Sequence, residues 1–491
     1  MKKNLLVKSQ LVAFLTIATM YFAAFAPVAN AQFVCQRQGI VTQTGSLTVD
    51  DPDQTTRVFR AGQFLAGTCL GNQPGGAGLA GTFNHDAYNY TNTSGQAACV
   101  TVEVTTPCGT GNFIYVVAYS SFNPATPSNN VLGTLGASPS GTAGTPAAFS
   151  FPVAAGASYT VVVSEVTANS GCPSYTLNII TKTGCRQAGF DRTNDGRADL
   201  AVTRPVGGLL RWFTRDIVTG ASQDRQFGIT GDIPVPGDYT GDGQTDLAVY
   251  RNSNNTWYYA TSQTTPNTSF VGRQWGTAGD IPVPGDYDRD GTYDIAVWRP
   301  SDGNWYILGS RTNALMPVLQ WGRSGDTPVL GDFDGDQAFD LGVVRQNETP
   351  GVLTWFIRYS NFGYTASYPN TATLNGFIRF GNTSDRVVPH DYDGDGRTDV
   401  AVWRPSDGTW YVRQSSSATF ALLTQPWGIS GDIPQPADYD GDRRADFAVF
   451  RPNADPTQNF WYIRNSETGT LTAIEWGQQG DMPVTAPHLI Q

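Results

Sequence analysis

Short runs of alternating apolar and polar residues occur along most of the chain. Before Cys185, runs such as Cys99-Val-Thr-Val-Glu-Val and Ser158-Tyr-Thr-Val-Val-Val-Ser are separated by turns rich in Gly, Pro and Asn. After it, runs such as Leu247-Ala-Val-Tyr-Arg and Val400-Ala-Val-Trp-Arg each follow an acidic segment. A period of two predicts strands, and no helical period persists in the first region. The pattern therefore predicts an all-β chain whose organisation changes near residue 185.

The first 31 residues have a different pattern. Three lysines in the first eight residues precede an apolar run, Leu11 to Phe25, and Ala29-Asn30-Ala31 follows. Positive charge, apolar core and a small-residue site are the pattern of a secretory signal peptide over 1–31. A membrane anchor is the alternative, but the run is short and no basic stop signal follows it. We expect a secreted, cell-surface or periplasmic protein without a transmembrane segment in the mature chain.

The chain is acidic. Its formal net charge is −11, and removal of a leader with three lysines and no acid takes the charge to −14. An acidic surface disfavours nucleic acid and attracts cations. We therefore expect no nucleic-acid partner.

The cysteines mark a domain boundary. All six lie before residue 186: Cys35, Cys69, Cys99, Cys108, Cys172 and Cys185. An even count in an exported chain predicts up to three disulfides, and fifteen connectivities remain open. Cys99 and Cys108 are close enough in sequence to close one hairpin, and no cysteine pair has zinc spacing. We expect a disulfide-braced β-sandwich over 32–185 and a second domain over 186–491.

The first of these domains resembles a known class. The order Asp86-Ala-Tyr-Asn-Tyr, Phe149-Ser-Phe-Pro-Val-Ala-Ala-Gly and Tyr175-Thr-Leu-Asn-Ile is similar to that of the jelly-roll-type domains that accompany secreted bacterial peptidases, the pre-peptidase C-terminal type. The resemblance covers only these strand-like phrases.

One phrase recurs six times in the second domain. The copies are DRTNDGRADLAV from Asp191, DYTGDGQTDLAV from Asp238, DYDRDGTYDIAV from Asp286, DFDGDQAFDLGV from Asp332, DYDGDGRTDVAV from Asp391 and DYDGDRRADFAV from Asp438. Their starts are 47, 48, 46, 59 and 47 residues apart, which suits the four-stranded blade of a β-propeller.

Each copy has the oxygen pattern of a cation-binding loop. Oxygen-bearing side chains stand at positions one, three, five and nine, and Gly usually fills position six. Alternate residues can point inward, Gly permits the sharp turn, and a carbonyl near position seven adds an oxygen. Calcium fits this set better than magnesium, which prefers a smaller shell with several waters. The alternative, that Asp and Gly only mark turns, is weakened by the repulsion between clustered acids.

An EF-hand is not expected. It requires Glu at position twelve and flanking helices, whereas here position twelve is Val and a strand follows. Four loops depart from the pattern. Thr193 and Thr240 occupy position three of the first two loops, and Gln337 and Arg443 replace the Gly of the fourth and sixth.

The repeated units resemble the FG-GAP or VCBS repeats of integrin α-chain propellers and bacterial surface proteins, over roughly Phe190 to Gln491. In that family the loops bind calcium and the units form propeller blades. The resemblance implies Ca²⁺ ligands at positions one, three, five and nine, with the carbonyl of position seven. These are Asp191, Thr193, Asp195, Arg197, Asp199; Asp238, Thr240, Asp242, Gln244, Asp246; Asp286, Asp288, Asp290, Thr292, Asp294; Asp332, Asp334, Asp336, Ala338, Asp340; Asp391, Asp393, Asp395, Arg397, Asp399; and Asp438, Asp440, Asp442, Arg444, Asp446.

Two aromatic markers and the chain end predict a closed ring. Each unit has a Trp strand (Trp212, Trp257, Trp305, Trp355, Trp410, Trp461) and an aromatic-Gly marker (Phe227, Trp275, Trp321, Phe380, Trp427, Trp476), which we interpret as packing between blades. The first loop lacks the lead-in that other loops have, such as Gly-Asp-Ile-Pro at Gly231 and Gly279, whereas Gly480-Asp-Met-Pro has no loop after it. Pairing of the C-terminal strand with the first blade repairs both ends. We predict six blades, or seven if upstream residues add one.

The sequence favours a non-catalytic role. No nucleophile motif or phosphate loop accompanies the three histidines, His85, His390 and His488. His390 is expected to shield the neighbouring loop or to pack between blades rather than act as a base. Related propellers occur in adhesion receptors and lectins, and some resemble sugar lyases. We therefore expect recognition of an extracellular protein or glycan, with a calcium-dependent lectin and a polysaccharide lyase or hydrolase as alternatives.

Recognition is expected in the variable, polar segments 260–271, 308–318, 413–424 and 464–473. The fourth unit is the longest, and its excess contains Tyr359, Phe362, Tyr364 and Tyr368. These aromatics either form a semi-exposed binding cluster or belong to a hairpin folded over its own blade. The ligand and the oligomeric state stay open.

Overall fold

The computed structural model describes residues 33–58, 69, 78–108, 113–134, 147–187, 189–261, 263–360, 364, 370–371, 374–375, 377–417, 420–453 and 459–484. The regular structure of this part is β-sheet, which confirms the all-β prediction. The described residues include no helix that is long and apolar enough to cross a membrane. The expected leader and His488 lie outside the described residues.

The N-terminal region is a β-sandwich. Its described strands are β1 (Phe33–Leu47), β2 (Asp53–Val58), β3 (Gly78–Thr91), β4 (Ala98–Thr105), β5 (Ile114–Tyr119), β6 (Val131–Thr134), β7 (Ala147–Val153), β8 (Ser158–Glu165) and β9 (Cys172–Gln187). They form two sheets, ordered β1-β9-β4-β7 and β2-β3-β8-β5-β6. Alternate residues such as Val102, Phe149 and Val161 are fully buried in one core that both sheets share. This confirms the expected sandwich.

Two disulfides brace the sandwich. Cys69 bonds to Cys99, and Cys108 bonds to Cys172. The Cys99–Cys108 hairpin bridge, which the sequence allowed among fifteen connectivities, is therefore not the one formed. The six steps from Cys99 to the end of β4 are extended and span roughly 20 Å, whereas a disulfide holds two Cα atoms within about 7 Å. The side chains of Cys35 and Cys185 lie outside the described part of the chain.

The repeat region adds 27 described strands. They are β10 (Leu200–Val206), β11 (Leu209–Arg215), β12 (Ser222–Ile229), β13 (Ile233–Pro234), β14 (Ala248–Arg251), β15 (Thr256–Ala260), β16 (Phe270–Gln274), β17 (Ile281–Pro282), β18 (Ile295–Arg299), β19 (Asn304–Gly309), β20 (Ala314–Leu315), β21 (Leu319–Gln320), β22 (Thr327–Val329), β23 (Leu341–Thr349), β24 (Val352–Arg358), β25 (Asn370–Thr371), β26 (Leu374–Asn375), β27 (Ile378–Asn382), β28 (Arg386–Val387), β29 (Val400–Arg404), β30 (Thr409–Arg413), β31 (Leu422–Pro426), β32 (Ile433–Pro434), β33 (Phe447–Arg451), β34 (Phe460–Arg464), β35 (Leu471–Glu475) and β36 (Met482–Pro483).

These strands form the six blades of a propeller. The sheets are β36-β10-β11-β12, β13-β14-β15-β16, β17-β18-β19 with β20 and β21, β22-β23-β24-β27, β28-β29-β30-β31 and β32-β33-β34-β35. The short pair β25-β26 belongs to the longer fourth unit. Among the described residues, the strands before β10 belong to the sandwich, so the alternative of a seventh upstream blade is wrong.

The C-terminal strand closes the first blade. Met482 pairs with Thr203 and Pro483 with Val202, which places β36 beside β10. This confirms the closure predicted from the two incomplete chain ends, and it leaves the first sheet with the same four-strand layout as the others.

The recurrent tryptophans form the inter-blade core. Trp212, Trp257, Trp305, Trp355, Trp410 and Trp461 are all at most 1% exposed. In five blades the indole N–H donates to the carbonyl oxygen of the aromatic-Gly marker, as in Trp212 to Phe227 at 2.8 Å and Trp410 to Trp427 at 2.9 Å. The two markers are therefore directly bonded in these five blades, and packing explains both.

An Arg–Asp clamp recurs in every blade and was not foreseen from the sequence. In each blade, the Asp at the second position of the lead-in accepts two hydrogen bonds from an Arg of the second strand, with Nη2–Oδ2 distances of 2.8–2.9 Å. The pairs are Arg204–Asp481, Arg251–Asp232, Arg299–Asp280, Arg345–Asp326, Arg404–Asp385 and Arg451–Asp432. Each guanidinium also lies over an aromatic ring of the third strand, as Arg299 does over Tyr306 at 4.1 Å.

Candidate metal centre

Six acidic loops lead into the second strands of the six blades. We number them loops 1 to 6, beginning at Asp191, Asp238, Asp286, Asp332, Asp391 and Asp438. Residue eight of each loop donates its backbone N–H to the carbonyl oxygen of residue one in the preceding loop, over 2.7–2.8 Å. The bonds are Ala198 to Asp438, Thr245 to Asp191, Tyr293 to Asp238, Phe339 to Asp286, Thr398 to Asp332 and Ala445 to Asp391. The six loops therefore form one closed circle.

Backbone N–H groups fix the carboxylates inside each loop. In loop 5, Asp391 accepts hydrogen bonds from Gly394 at 2.6 Å and Gly396 at 2.8 Å, and Asp399 accepts one from Tyr392 at 2.9 Å. The N–H of position seven donates to the position-five carboxylate in all six loops, over 2.8–2.9 Å. These hydrogen bonds hold the loop in a turn that brings three or four of its carboxylate side chains close together.

Four loops gather three carboxylates with ligand atoms within 4.8 Å of one another. The groups are Asp286, Asp288 and Asp290; Asp332, Asp334 and Asp336; Asp391, Asp393 and Asp399; and Asp438, Asp440 and Asp446. Loops 1 and 2, which carry Thr193 and Thr240, form no such group among the described residues. Loops 4 and 6 keep theirs although Gln337 and Arg443 replace Gly, because both residues adopt the positive φ of glycine, 70° and 73°.

The clustered carboxylates are electrostatically unfavourable without a cation. Burial and then neighbouring carboxylates raise the pKa of Asp246 to about 8 and that of Asp332 to about 8. The same causes, in the same order, raise the pKa of Asp391 well above 3.8. Buried like charges disfavour ionisation, and a bound cation removes that penalty.

The donor set fits calcium. The grouped ligands are hard carboxylate oxygens, and three oxygens in the loops, Asp199 Oδ1, Asp288 Oδ1 and Asp440 Oδ2, are buried without a hydrogen-bond donor among the described residues. Calcium takes six to eight such oxygens in a flexible shell. Asp-rich clusters that can hold a metal ion are therefore present in four of the six predicted loops.

Loops 3 to 6 are each contacted by one serine at an equivalent position, which was not singled out from the sequence. Its backbone N–H donates to the position-nine carboxylate and its hydroxyl to the position-five carboxylate, as Ser415 does to Asp399 at 2.6 Å and to Asp395 at 3.0 Å. The equivalents are Ser310, Ser360 and Ser466. Each stands five residues after the blade tryptophan, so the spacing was visible in the sequence.

The other singled-out residues are buried. His390 is 1% exposed, its Nδ1 accepts the N–H of Asp391 at 3.0 Å, and burial lowers its pKa to about 3. Such a neutral, enclosed imidazole fits the expected packing role. Tyr359 and Tyr364 are 3% and 7% exposed, which favours the folded-over hairpin rather than a semi-exposed binding cluster. Phe362 and Tyr368 lie outside the described residues.

The comparisons with known proteins agree with this geometry. A family model described as an FG-GAP-like repeat matches residues 238–297 and 391–449. Each match begins at the first aspartate of one loop, Asp238 or Asp391, and runs through the next loop into its strand. No curated protein sequence matches the chain. The chain therefore carries FG-GAP-like repeats at loops 2–3 and 5–6.

Proposed function

We propose that the chain is a secreted, calcium-loaded propeller that recognises an extracellular protein or glycan without catalysing a reaction. The observation that carries the proposal is the set of four clusters, each of three carboxylates, that stand on a closed circle of loops and accept hydrogen bonds from backbone N–H groups. Calcium in these groups is a structural ion that fixes the ring on which the binding surface stands. The signal-peptide pattern and two formed disulfides support an extracellular location.

The outer strands of the blades supply the recognition surface. Large apolar side chains are exposed in all four variable segments: Phe270, Leu315, Val318, Leu422 and Leu471 are each between 43% and 59% exposed. Exposed apolar groups set among Thr, Ser and Asn are a surface that a protein ligand can bury. This observation favours a protein over a glycan as the ligand.

Two crevices beside the blades bear on the non-catalytic part of the proposal. One of about 200 Å³ is lined by Phe227, Tyr258 and Phe270, and one of about 270 Å³ by Phe213 and Trp476. Both are smaller than the roughly 300–1,000 Å³ of ordinary small-molecule sites. These two crevices among the described residues therefore lend no support to the lyase or hydrolase alternative.

The metal part of the proposal is tested on the purified chain by measuring bound calcium and the thermal unfolding midpoint. At ten times Kd each loaded loop adds about 1.4 kcal/mol, so four loops add roughly 6 kcal/mol. We expect several equivalents of calcium and a large fall of the midpoint in EDTA. A chain that binds no calcium, or whose midpoint is the same in EDTA, contradicts the proposal.

The ligand class is tested with a glycan array in calcium and in EDTA. A calcium-dependent glycan hit would assign the lectin alternative, and its absence favours a protein ligand. Release of reducing or unsaturated ends from polysaccharides would overturn the non-catalytic assignment.

A further inference from the structure

The sandwich contacts the propeller at loops 3 and 4. Lys182 on β9 lies 3.6 Å from a carboxylate oxygen of Asp286, the first residue of loop 3. Glu103 on β4 lies 3.1 Å from Arg311 and 3.8 Å from Arg289. The side chains of Lys182, Glu103 and Arg289 are at most 6% exposed, so these are enclosed ionic contacts between two domains.

Burial differs around the circle in the way this contact predicts. The position-five carboxylates Asp290 and Asp336 of loops 3 and 4 are 2% and 0% exposed. Their counterparts in loops 1 and 2, Asp195 and Asp242, are exposed to solvent. The two loops beneath the sandwich are therefore the ones from which water is most completely removed.

Two departures from the repeat pattern fall at the same contact. Arg289 stands at position four of loop 3 with φ 62°, where four of the other loops have Gly. Gln337 stands at position six of loop 4 with φ 70°, and its amide nitrogen lies 3.2 Å from Cys69 Sγ of the sandwich. A non-glycine residue at positive φ is strained, and such strain persists where surrounding contacts hold it. The long side chains at these positions serve the contact between the domains.

The charges at the contact do not balance. Loops 3 and 4 hold eight aspartates, which with Glu103 make nine acidic groups. Four cations lie against them: Lys182, Arg289, Arg311 and Arg397. Enclosing uncompensated charge is costly. Two divalent cations would remove four of the five excess negative charges. Docking of the sandwich and cation uptake by loops 3 and 4 therefore favour each other.

We propose that the sandwich is an internal partner of the propeller, and that its docked state is locked by divalent cations in loops 3 and 4. The proposal uses the metal sites of the proposed function but assigns them a further role, the control of domain docking. Without the cations, the sandwich separates from loops 3 and 4 and exposes Lys182.

The chain contains its own reporter for the contact between the sandwich and loops 3 and 4, which we call the joint. Lys182 is the only lysine after residue 8, and it is 1% exposed in the docked structure. Acetylation of the purified full chain by an N-hydroxysuccinimide ester, followed by mass spectrometry of the peptide with Lys182, measures the open fraction. If loops 3 and 4 are loaded at ten times Kd in the docked state and lose their ions when the sandwich separates, opening should be about 10-fold rarer per loop. This gives roughly 100-fold slower labelling in calcium than in EDTA.

Two variants make the test local. Asp332→Asn weakens loop 4 without changing Lys182 or Glu103. Asp438→Asn makes the same change in loop 6, where Arg443 and Arg444 are exposed to solvent. We expect faster Lys182 labelling in calcium for Asp332→Asn only. Tryptophan fluorescence, which arises only from the propeller, reports whether either variant has lost its fold.

Several results would overturn the proposal. One is equal Lys182 labelling of the unaltered chain in calcium and EDTA, and another is equal labelling of the two variants. Bound calcium with a freely reactive Lys182 would reject the joint while leaving the proposed function intact. Absence of bound calcium would reject both.

Discussion

The backbone N–H of Ala198 donates to the carbonyl oxygen of Asp438 over 2.7 Å, although the two residues stand 240 positions apart. This bond joins loop 1 to loop 6 and completes the circle of loops. It lies close to the second closure, the pairing of β36 with β10. Because every loop is bonded to both neighbours, loosening one loop affects the positions of the next.

A single charge removed from loop 5 should lower stability only when calcium is present. Asp391→Asn keeps the shape of the side chain but removes one ionic ligand from the group Asp391, Asp393 and Asp399. Loss of that site at ten times Kd costs about 1.4 kcal/mol, and coupling to loops 4 and 6 adds to it. Thermal unfolding in calcium and in EDTA measures the difference.

The matched control for this variant is Asp407→Asn. Asp407 is exposed in the turn between β29 and β30, and its carboxylate accepts only a local N–H, that of Thr409 at 3.0 Å. Its substitution should change the midpoint equally and slightly in both solutions. If Asp391→Asn behaves in the same way as Asp407→Asn, loop 5 does not bind the ion.

Stability without calcium should fall as pH rises from about 5 to about 8. Burial raises the pKa of Asp238 to about 7 and that of Asp446 to about 8, from an ordinary value of 3.8. Between these values the folded chain holds protons that the unfolded chain has lost, so raising the pH favours unfolding. Calcium binds the ionised carboxylates and should reverse the trend. Unfolding midpoints in EDTA and in calcium across this range test both signs, and parallel curves would contradict the assignment.

Much of the propeller was predictable because its signals are local and repeated. The strands after Leu247 and Val400 follow from alternation, and the closure by β36 follows from the unmatched lead-in at Gly480. The serines that stand five residues after four of the blade tryptophans, such as Ser415, were visible in the sequence but lacked an assigned role. From that spacing, the hydrogen bonds of the serine to positions five and nine of the loop could have been predicted.

The joint between the domains was not predictable from the sequence. Lys182 and Glu103 are single residues without a repeat to mark them, and their partners Asp286 and Arg289 lie over 100 residues away. The pairing of Cys99 failed for the same reason, since strand order in three dimensions decides it and sequence distance does not.

Peptide mapping of the unreduced chain should recover the two bonds Cys69–Cys99 and Cys108–Cys172. They close loops of 30 and 64 residues, for which chain-entropy estimates give about 4 kcal/mol each. Reduction should therefore unfold the sandwich at lower denaturant concentration. The cysteine-free propeller loses only the contribution of docking, so in calcium it should still unfold at a higher denaturant concentration than the reduced sandwich. A Cys99–Cys108 peptide would contradict the strand arrangement.

The Arg–Asp clamp at the ring closure should contribute measurably to stability. Asp481 is on average 9% exposed, its carboxylate is fully buried, and it holds Arg204 while accepting the N–H of Gln478 at 2.7 Å. Asp481→Asn leaves a partly buried guanidinium over Phe213 without its counter-ion, and the expected loss is about 1–3 kcal/mol. Urea denaturation in saturating calcium measures this loss.

The same blade offers a control that separates a buried clamp from an ordinary ion pair. Arg211 and Asp224 also form a two-bond pair, but their side chains are 36% and 43% exposed. Solvent screens such a pair, so Asp224→Asn should change stability far less than Asp481→Asn does. Because Asp481 directly precedes β36, the strand that closes the ring, its variant should also release β36, detected as faster amide exchange at Thr203. Equal effects of the two variants would show that the clamp at Asp481 is only a surface contact.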